Sequence, residues 1–158
     1  MQHKTLDITV QEHRKDGGRI TISTGNPDRV HDRVFPQGAK LDNYLKNPVV
    51  LWGHNGYTAD ALIGRAKTIE VNETGIVADF ELRDAASASD PQHIVRLLWE
   101  QEFVRASSIG FMPSAAVPND LGGMDFVSWE LLEFSLCSVP MNPEALRLAA
   151  KSYPGALE

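Results

Sequence analysis

A chain of 158 residues predicts one domain, at the usual size of about 150 residues per domain. Hydrophobic residues make up 42% and charged residues 23%, ordinary globular usage that excludes disordered, collagen-like and low-complexity classes. Fifteen Lys and Arg against 21 Asp and Glu leave a net charge of −6, which argues against a nucleic-acid partner, because displacing counterions from phosphate needs a basic face. The single cysteine, Cys137, excludes an internal disulfide framework. No run approaches the roughly 18 apolar residues of a membrane span. Met1 to Val10 carries Lys4 and Asp7 where a secretory signal would have a basic segment and then an apolar run. The expectation is a soluble protein of a reducing compartment, with no membrane partner.

Periodicity reads mostly as strand. Thr5 to Val10 alternates with Leu6, Ile8 and Val10 on one face. Lys15-Asp16-Gly17-Gly18 supplies a turn, and Arg19 to Thr24 alternates again, so a hairpin is expected. Leu41 to Lys46 has room for a short helix capped by Asp42. Val49 to Trp52, between Pro48 and Gly53, has the pattern of a buried strand. Ala61 to Val71 and Ile76 to Leu82 read as paired strands, with Asp79 and Glu81 facing away from the core.

The clearest helix starts at Asp90, with Pro91 at a position where a missing N–H costs nothing. Ile94, Leu97 and Leu98, with Gln101 or Val104, are its expected apolar stripe. Arg105 to Met112 is extended, Ser114 to Gly123 an irregular loop, and Met124 to Val139 one or two strands. Glu144 to Lys151 reads as a terminal helix. Residues 1–150 form the domain, and 151–158 a tail, disordered or a cloning remnant. The class is all-β or β-rich α+β with at least one helix, and several short strands in a chain of this length suggest a closed or nearly closed β-barrel.

Metal and phosphate sites find no support in the residues. There is no His-Glu-x-x-His and no Cys pair, and His31-Asp32 reads as a solvated loop. Gly17-Gly18 and Gly122-Gly123 are turn glycines. No cofactor is expected.

Three segments carry candidate chemistry. His54 follows a buried strand on a glycine-flanked turn, a place for a general base or for a plain polar turn residue. In Arg105 to Phe111, alternation separates two serines. Ser107 shares the core face with Ile109 and Phe111, while Ser108 shares the other with Ala106 and Gly110, where small neighbours leave room for a substrate. Ser108 is either a nucleophile or an ordinary strand serine. Glu133, among Leu131, Leu132, Phe134 and Leu136, is either a paired carboxylate or an edge glutamate in water. Cys137 is a small buried hydrophobe or a thiol nucleophile.

In order along the chain, these segments resemble the prohead (capsid-maturation) protease family of tailed bacteriophages. Asp32 to Ala39 is similar to an early element with Pro36 and Gly38-Ala39, and Asn47 to His54 to the strand ending in the family's histidine. Leu62 to Arg65 and Thr74 to Val77 match the following hairpin. Ser108-Ile109-Gly110-Phe111 resembles the nucleophile motif, and Leu132 to Ala145 the closing signature with Pro140-Met141-Asn142-Pro143. Coverage runs from about Ile20 to Leu146.

The resemblance implies a serine endopeptidase with an assemblin-like fold, a β-barrel with surrounding helices also found in herpesvirus maturation proteases. Position by position it makes His54 the general base, Ser108 the nucleophile and Glu133 the third, orienting member. It implies scaffold or major capsid protein as substrate, with self-processing, a homodimer or higher self-association, and action inside the procapsid in the bacterial cytoplasm. The loop Pro118 to Gly123 is expected to shape the substrate groove. Two other readings remain open: a non-catalytic β-barrel that binds scaffold or capsid protein, and a cysteine hydrolase using Cys137 and His54.

Overall fold

The computed structural model describes residues 17–148, and within them nine strands share one sheet. Its spine is the long strand β8 (Met124–Cys137), hydrogen-bonded along both edges. On one edge β7 (Ala106–Pro118) pairs with it antiparallel over its full length. Along the other edge the chain runs parallel to β8 and docks three times: β2 (Arg33–Val34), β3 (Ala39–Lys40) and β4 (Val49–Trp52). A 3-10 turn (Pro36–Gly38) and helix α1 (Asp42–Lys46) carry it from one docking point to the next. From β4 the sheet continues antiparallel through β5 (Leu62–Val71), β6 (Gly75–Leu82) and β1 (Gly17–Thr24) to β9 (Arg147–Leu148).

The β-rich α+β class holds, and the closed barrel does not. The sheet is open, because β9 is only two residues long and offers too short a ladder to join its ends. One bridge, Ala106 to Leu146, ties the β9 end to the start of β7, with Ser107 N–H donating to Ala145 O at 2.9 Å and Arg147 N–H to Arg105 O at 2.7 Å.

The core lies on one face of this sheet. Trp129, Leu131, Phe134 and Leu136 of β8 are fully buried with Ile20, Ile22, Ile63 and Phe80. Phe80 meets the rings of Trp99 and Phe134 edge-on, at 5.2 and 6.2 Å between centroids, a preferred aromatic geometry.

Several local expectations change. Helix α2 (Pro91–Glu100) starts at Asp90 as expected, but it buries Gln92, Val95 and Trp99, while Ile94 and Leu97 are exposed. The largest apolar surface on the helix is the indole of Trp99, and seating it against Phe80 fixes the buried face. Asp42 is the first residue of α1 and not its cap, which is Leu41. Strand β7 continues to Pro118, so the loop expected from Ser114 shrinks to 119–123. The expected terminal helix gives way, as far as Leu148, to a turn and β9, because the Leu146 and Arg147 backbones pair with β1 and β7. The strand Thr5 to Val10, residues 149–151 of the expected helix and the tail 151–158 lie outside the described residues. Both edges of β1 are taken at Arg19–Ile20, by β6 and β9.

Asp90 locks α2 to the sheet. Its carboxylate caps the helix through Gln92 N–H, takes Ala86 N–H and receives both terminal nitrogens of Arg83 at 2.7 Å. Arg83 and these backbone donors hold the carboxyl well below the usual carboxylate range. The unfolded chain therefore binds this proton at higher pH than the folded one, so the stabilisation is full above the ordinary Asp value near 4 and is lost as pH falls below it. Asp90→Asn should lower Tm at neutral pH, with the gap from wild type narrowing on acidification below about pH 4. Calorimetry across pH 2–7 checks this, and a gap independent of pH would refute the linkage.

Candidate functional site

The site forms where β4 ends against β8. Trp52 pairs with Leu136, and the chain then turns through two consecutive left-handed residues, Gly53 (φ 58°) and His54 (φ 62°). Glycine takes this conformation freely, whereas a residue with a Cβ is disfavoured there by roughly 1–2 kcal/mol. The strain at His54 is held by hydrogen bonds on both sides. Gly53 N–H donates to Leu136 O at 3.1 Å, His54 N–H to Ser135 Oγ at 2.9 Å, and Asn55 N–H to Trp52 O at 3.1 Å.

That turn brings the imidazole to Glu133, with Nδ1 2.5 Å from Oε1. A carboxylate can only accept, so Nδ1 carries a proton, and in the neutral ring this is the tautomer that leaves the lone pair on Nε2. The histidine side chain is 46% exposed and the glutamate 14%, so the ring meets solvent while its anchor is shielded. The second carboxylate oxygen accepts from Ser135 Oγ at 2.8 Å. Glu133 is therefore the paired carboxylate of the two readings left open by the sequence, and β8 is no edge strand at this point.

A β-bulge decides which face Glu133 occupies. Gly110 pairs with Glu133 and Phe111 with Leu131, which leaves Leu132 as an extra residue on β8. Strict alternation would put Glu133 on the same face as Trp129 and Leu131. The extra residue shifts the phase, so Phe134 and Leu136 take the core face and Glu133 and Ser135 the other. Leu132 itself is exposed.

Ser107 and Ser108 separate as alternation predicts. Ser107 is fully buried and donates to Thr21 O at 2.8 Å. Ser108 is half-buried, lies directly across from Ser135 and shares its face with Glu133. Cross-strand neighbours of this kind have Cβ atoms about 5 Å apart. Ser135 in turn holds the His54 backbone and the Glu133 carboxylate through one buried hydroxyl, and Ser108 is its neighbour across the strand pair. The Ser108 hydroxyl makes no hydrogen bond with the described residues.

The small neighbours of Ser108 do a different job from the one expected. Ala106 is buried, and the space above Gly110 is filled by Glu133. A Cβ on Gly110 would stand 2.6 Å from Glu133 Oε1, so this glycine makes room for the carboxylate and not for a substrate. The loop after Pro118 is also remote. It begins ten residues along β7 from Ser108, about 33 Å at strand rise. There Asn119 bonds His31 O and Asp125. His31 sits in an exposed turn of its own, from Asp28 to Asp32, at φ 66°. Cys137 shares the face of Glu133 and Ser135, and burial, with the Glu133 charge adding to it, pushes its thiol above its usual value.

Sequence reasoning missed Ser135 and the role of Gly110. The spacing Glu133-x-Ser135 places both on one strand face, which was the available signal. Nothing in the spelling of Leu131-Leu132 announces a bulge.

Over 156 residues, 95% of its length, the chain is 30% identical to the capsid polyprotein of Pseudomonas phage PAJU2. Over 139 residues, 84% of its length, it is 30% identical to the prohead protease of Escherichia phage T5. The chain spans 22% of the first relative and 62% of the second. No family model matches it.

Gly110→Ala should leave the fold intact, since the nearest atoms its Cβ would meet belong to the Glu133 side chain, but should displace the Glu133 carboxylate from His54. The short Nδ1–H···Oε1 contact should give a far-downfield proton resonance in wild type that the variant loses. A resonance unchanged by the substitution would show that Gly110 does not govern the pair.

Proposed function

Because the chain belongs to the phage prohead protease family, we propose that it is a serine endopeptidase of capsid maturation, with Ser108 as nucleophile, His54 as general base and Glu133 orienting the base. The observation that carries this reading is the 2.5 Å contact between His54 Nδ1 and Glu133 Oε1 beside a strand serine with an uncommitted hydroxyl. A carboxylate on Nδ1 fixes the tautomer that leaves Nε2 free to take a proton, and it stabilises the imidazolium that results.

In the proposed reaction Ser108 Oγ attacks the carbonyl carbon of a peptide bond while its proton passes to His54 Nε2. The tetrahedral intermediate collapses as His54 returns that proton to the leaving amine, and an acyl-enzyme remains. Water, deprotonated by His54, then attacks the ester and releases the acid with Ser108 restored. Glu133 lends the ring its orientation.

The relative named as a capsid polyprotein makes capsid or scaffold segments the proposed substrates, cleaved within the procapsid. Self-association and self-processing enter the proposal from the same family likeness. The cysteine reading is disfavoured, because a thiol raised by burial carries little thiolate at neutral pH.

The test is fluorophosphonate labelling, with the modified residue located by peptide mass mapping. Label is expected at Ser108, with Ser108→Ala abolishing it and reducing peptide hydrolysis by about 10³-fold or more. Glu133→Gln should slow labelling less, and Cys137→Ser should not change it. Label at Ser107 would overturn the assignment. Absence of label across a range of protein concentrations would favour the rival reading, a non-catalytic module binding scaffold or capsid protein.

A further inference from the structure

Ser135 is the fully buried hydroxyl at the centre of the site, and its hydrogen bonds are unusual for a strand serine. A hydroxyl has one proton to give and two lone pairs to receive with. Here the proton goes to Glu133 Oε2 at 2.8 Å, and a lone pair takes the backbone N–H of His54 at 2.9 Å. One side chain thus touches both partners of the His54–Glu133 pair, and neither contact is through the imidazole.

Each contact removes one freedom the pair would otherwise have. Glu133 has its two oxygens divided, Oε1 to the ring and Oε2 to Ser135, so its carboxylate plane cannot rotate without breaking one bond. His54 stands at φ 62°, a conformation that a residue with a Cβ keeps only when its surroundings over-determine it. Its N–H falls just beyond the parallel ladder of β4 and β8, which ends at Trp52 opposite Leu136. The next backbone donor, Gly53 N–H, still reaches Leu136 O, and the one after reaches back to Ser135 Oγ. The hydroxyl extends the ladder by one bond and fixes the strained residue.

We infer that Ser135 is a positioning residue, coupling the backbone conformation of His54 to the orientation of Glu133 so that the imidazole is aimed before any substrate arrives. It touches no reacting atom. This rests on the reading of His54 as general base, and the experiment separates the two.

Three variants of the intact chain are compared: Ser135→Ala, Ser135→Cys and Ser107→Ala. Ser107 is an equally buried serine of the neighbouring strand whose hydroxyl bonds only the Thr21 backbone, so its alanine variant gauges the stability cost of losing a buried serine hydroxyl. Second-order rate constants for fluorophosphonate labelling, Tm, and the downfield His54 Nδ1–H resonance with its pH profile are recorded for each.

Ser135→Ala should label about 10- to 100-fold more slowly than wild type, the range that partners of site ligands usually carry. It should remain folded at the labelling temperature, and Ser107→Ala, which also loses a buried hydroxyl, should keep the wild-type labelling rate. The Nδ1–H resonance should broaden or move in Ser135→Ala and stay in place in Ser107→Ala. Ser135→Cys, nearly isosteric with a weaker donor and acceptor, should fall between wild type and alanine, and it carries the test if Ser135→Ala does not fold.

Labelling at the wild-type rate in a folded Ser135 variant, or an unmoved His54 resonance, overturns the inference. If wild type itself does not label, the nucleophile assignment fails, and the resonance alone still decides whether Ser135 positions the pair.

Discussion

The extra residue in β8 is the constraint on which the candidate site depends. A strand whose side chains alternate without interruption would put Glu133 and Ser135 on the core face beside Trp129 and Leu131. Leu132 breaks that link by standing unpaired between Gly110 and Phe111 of β7. The core then resumes with Phe134 and Leu136, and two polar groups pass to the other face. Bulges re-aim side chains at the cost of one irregular step in a ladder. Placed between a core segment and a polar pair, this one lets a single strand serve both.

The histidine turn depends on the same strand. Strand β4 lies parallel to β8 and runs out at Trp52, and the two residues beyond it take left-handed backbone angles. Alone, such a turn is costly for histidine. Against β8 it is tied at Leu136 O and at Ser135 Oγ, and the ring meets a carboxylate already fixed over Gly110. A flexible carboxylate or a mobile turn would lose rotational freedom on each encounter; here that cost is met when the chain folds.

The segment after β8 has a supporting role that its motif-like appearance conceals. Asn142 takes Glu144 N–H on its side-chain oxygen and donates to Thr24, and Glu144 accepts from Thr24 and Asn26. The following residues bridge to β7, with Ala145 O receiving Ser107 N–H. Pro140 to Ala145 is therefore a strap that fastens the start of β7 to β1, one residue before Ser108. Its composition follows from turn geometry and side-chain capping and needs no contact with a substrate. The open sheet is tied at this strap, where a closed barrel would have a continuous ladder.

Much of the fold was written locally. Apolar alternation located β1, β4, β5 and β6, and Asp90 with Pro91 marked the start of α2, because strand period and helix capping are properties of neighbouring residues. The separation of Ser107 from Ser108 was also legible, since no bulge interrupts that side of β7. What tertiary structure alone decided were outcomes of competition between distant segments. The buried face of α2 was set by the fit of Trp99 against Phe80, and the fate of Glu144 to Leu148 by the free edges of β1 and β7. The pairing of His54 with Glu133 required a bulge at Leu132 and a hydroxyl at Ser135, 81 residues from the backbone it holds. Residue types announce what chemistry is possible, but a distance of 2.5 Å between two side chains depends on register, and register is a property of the paired strands together.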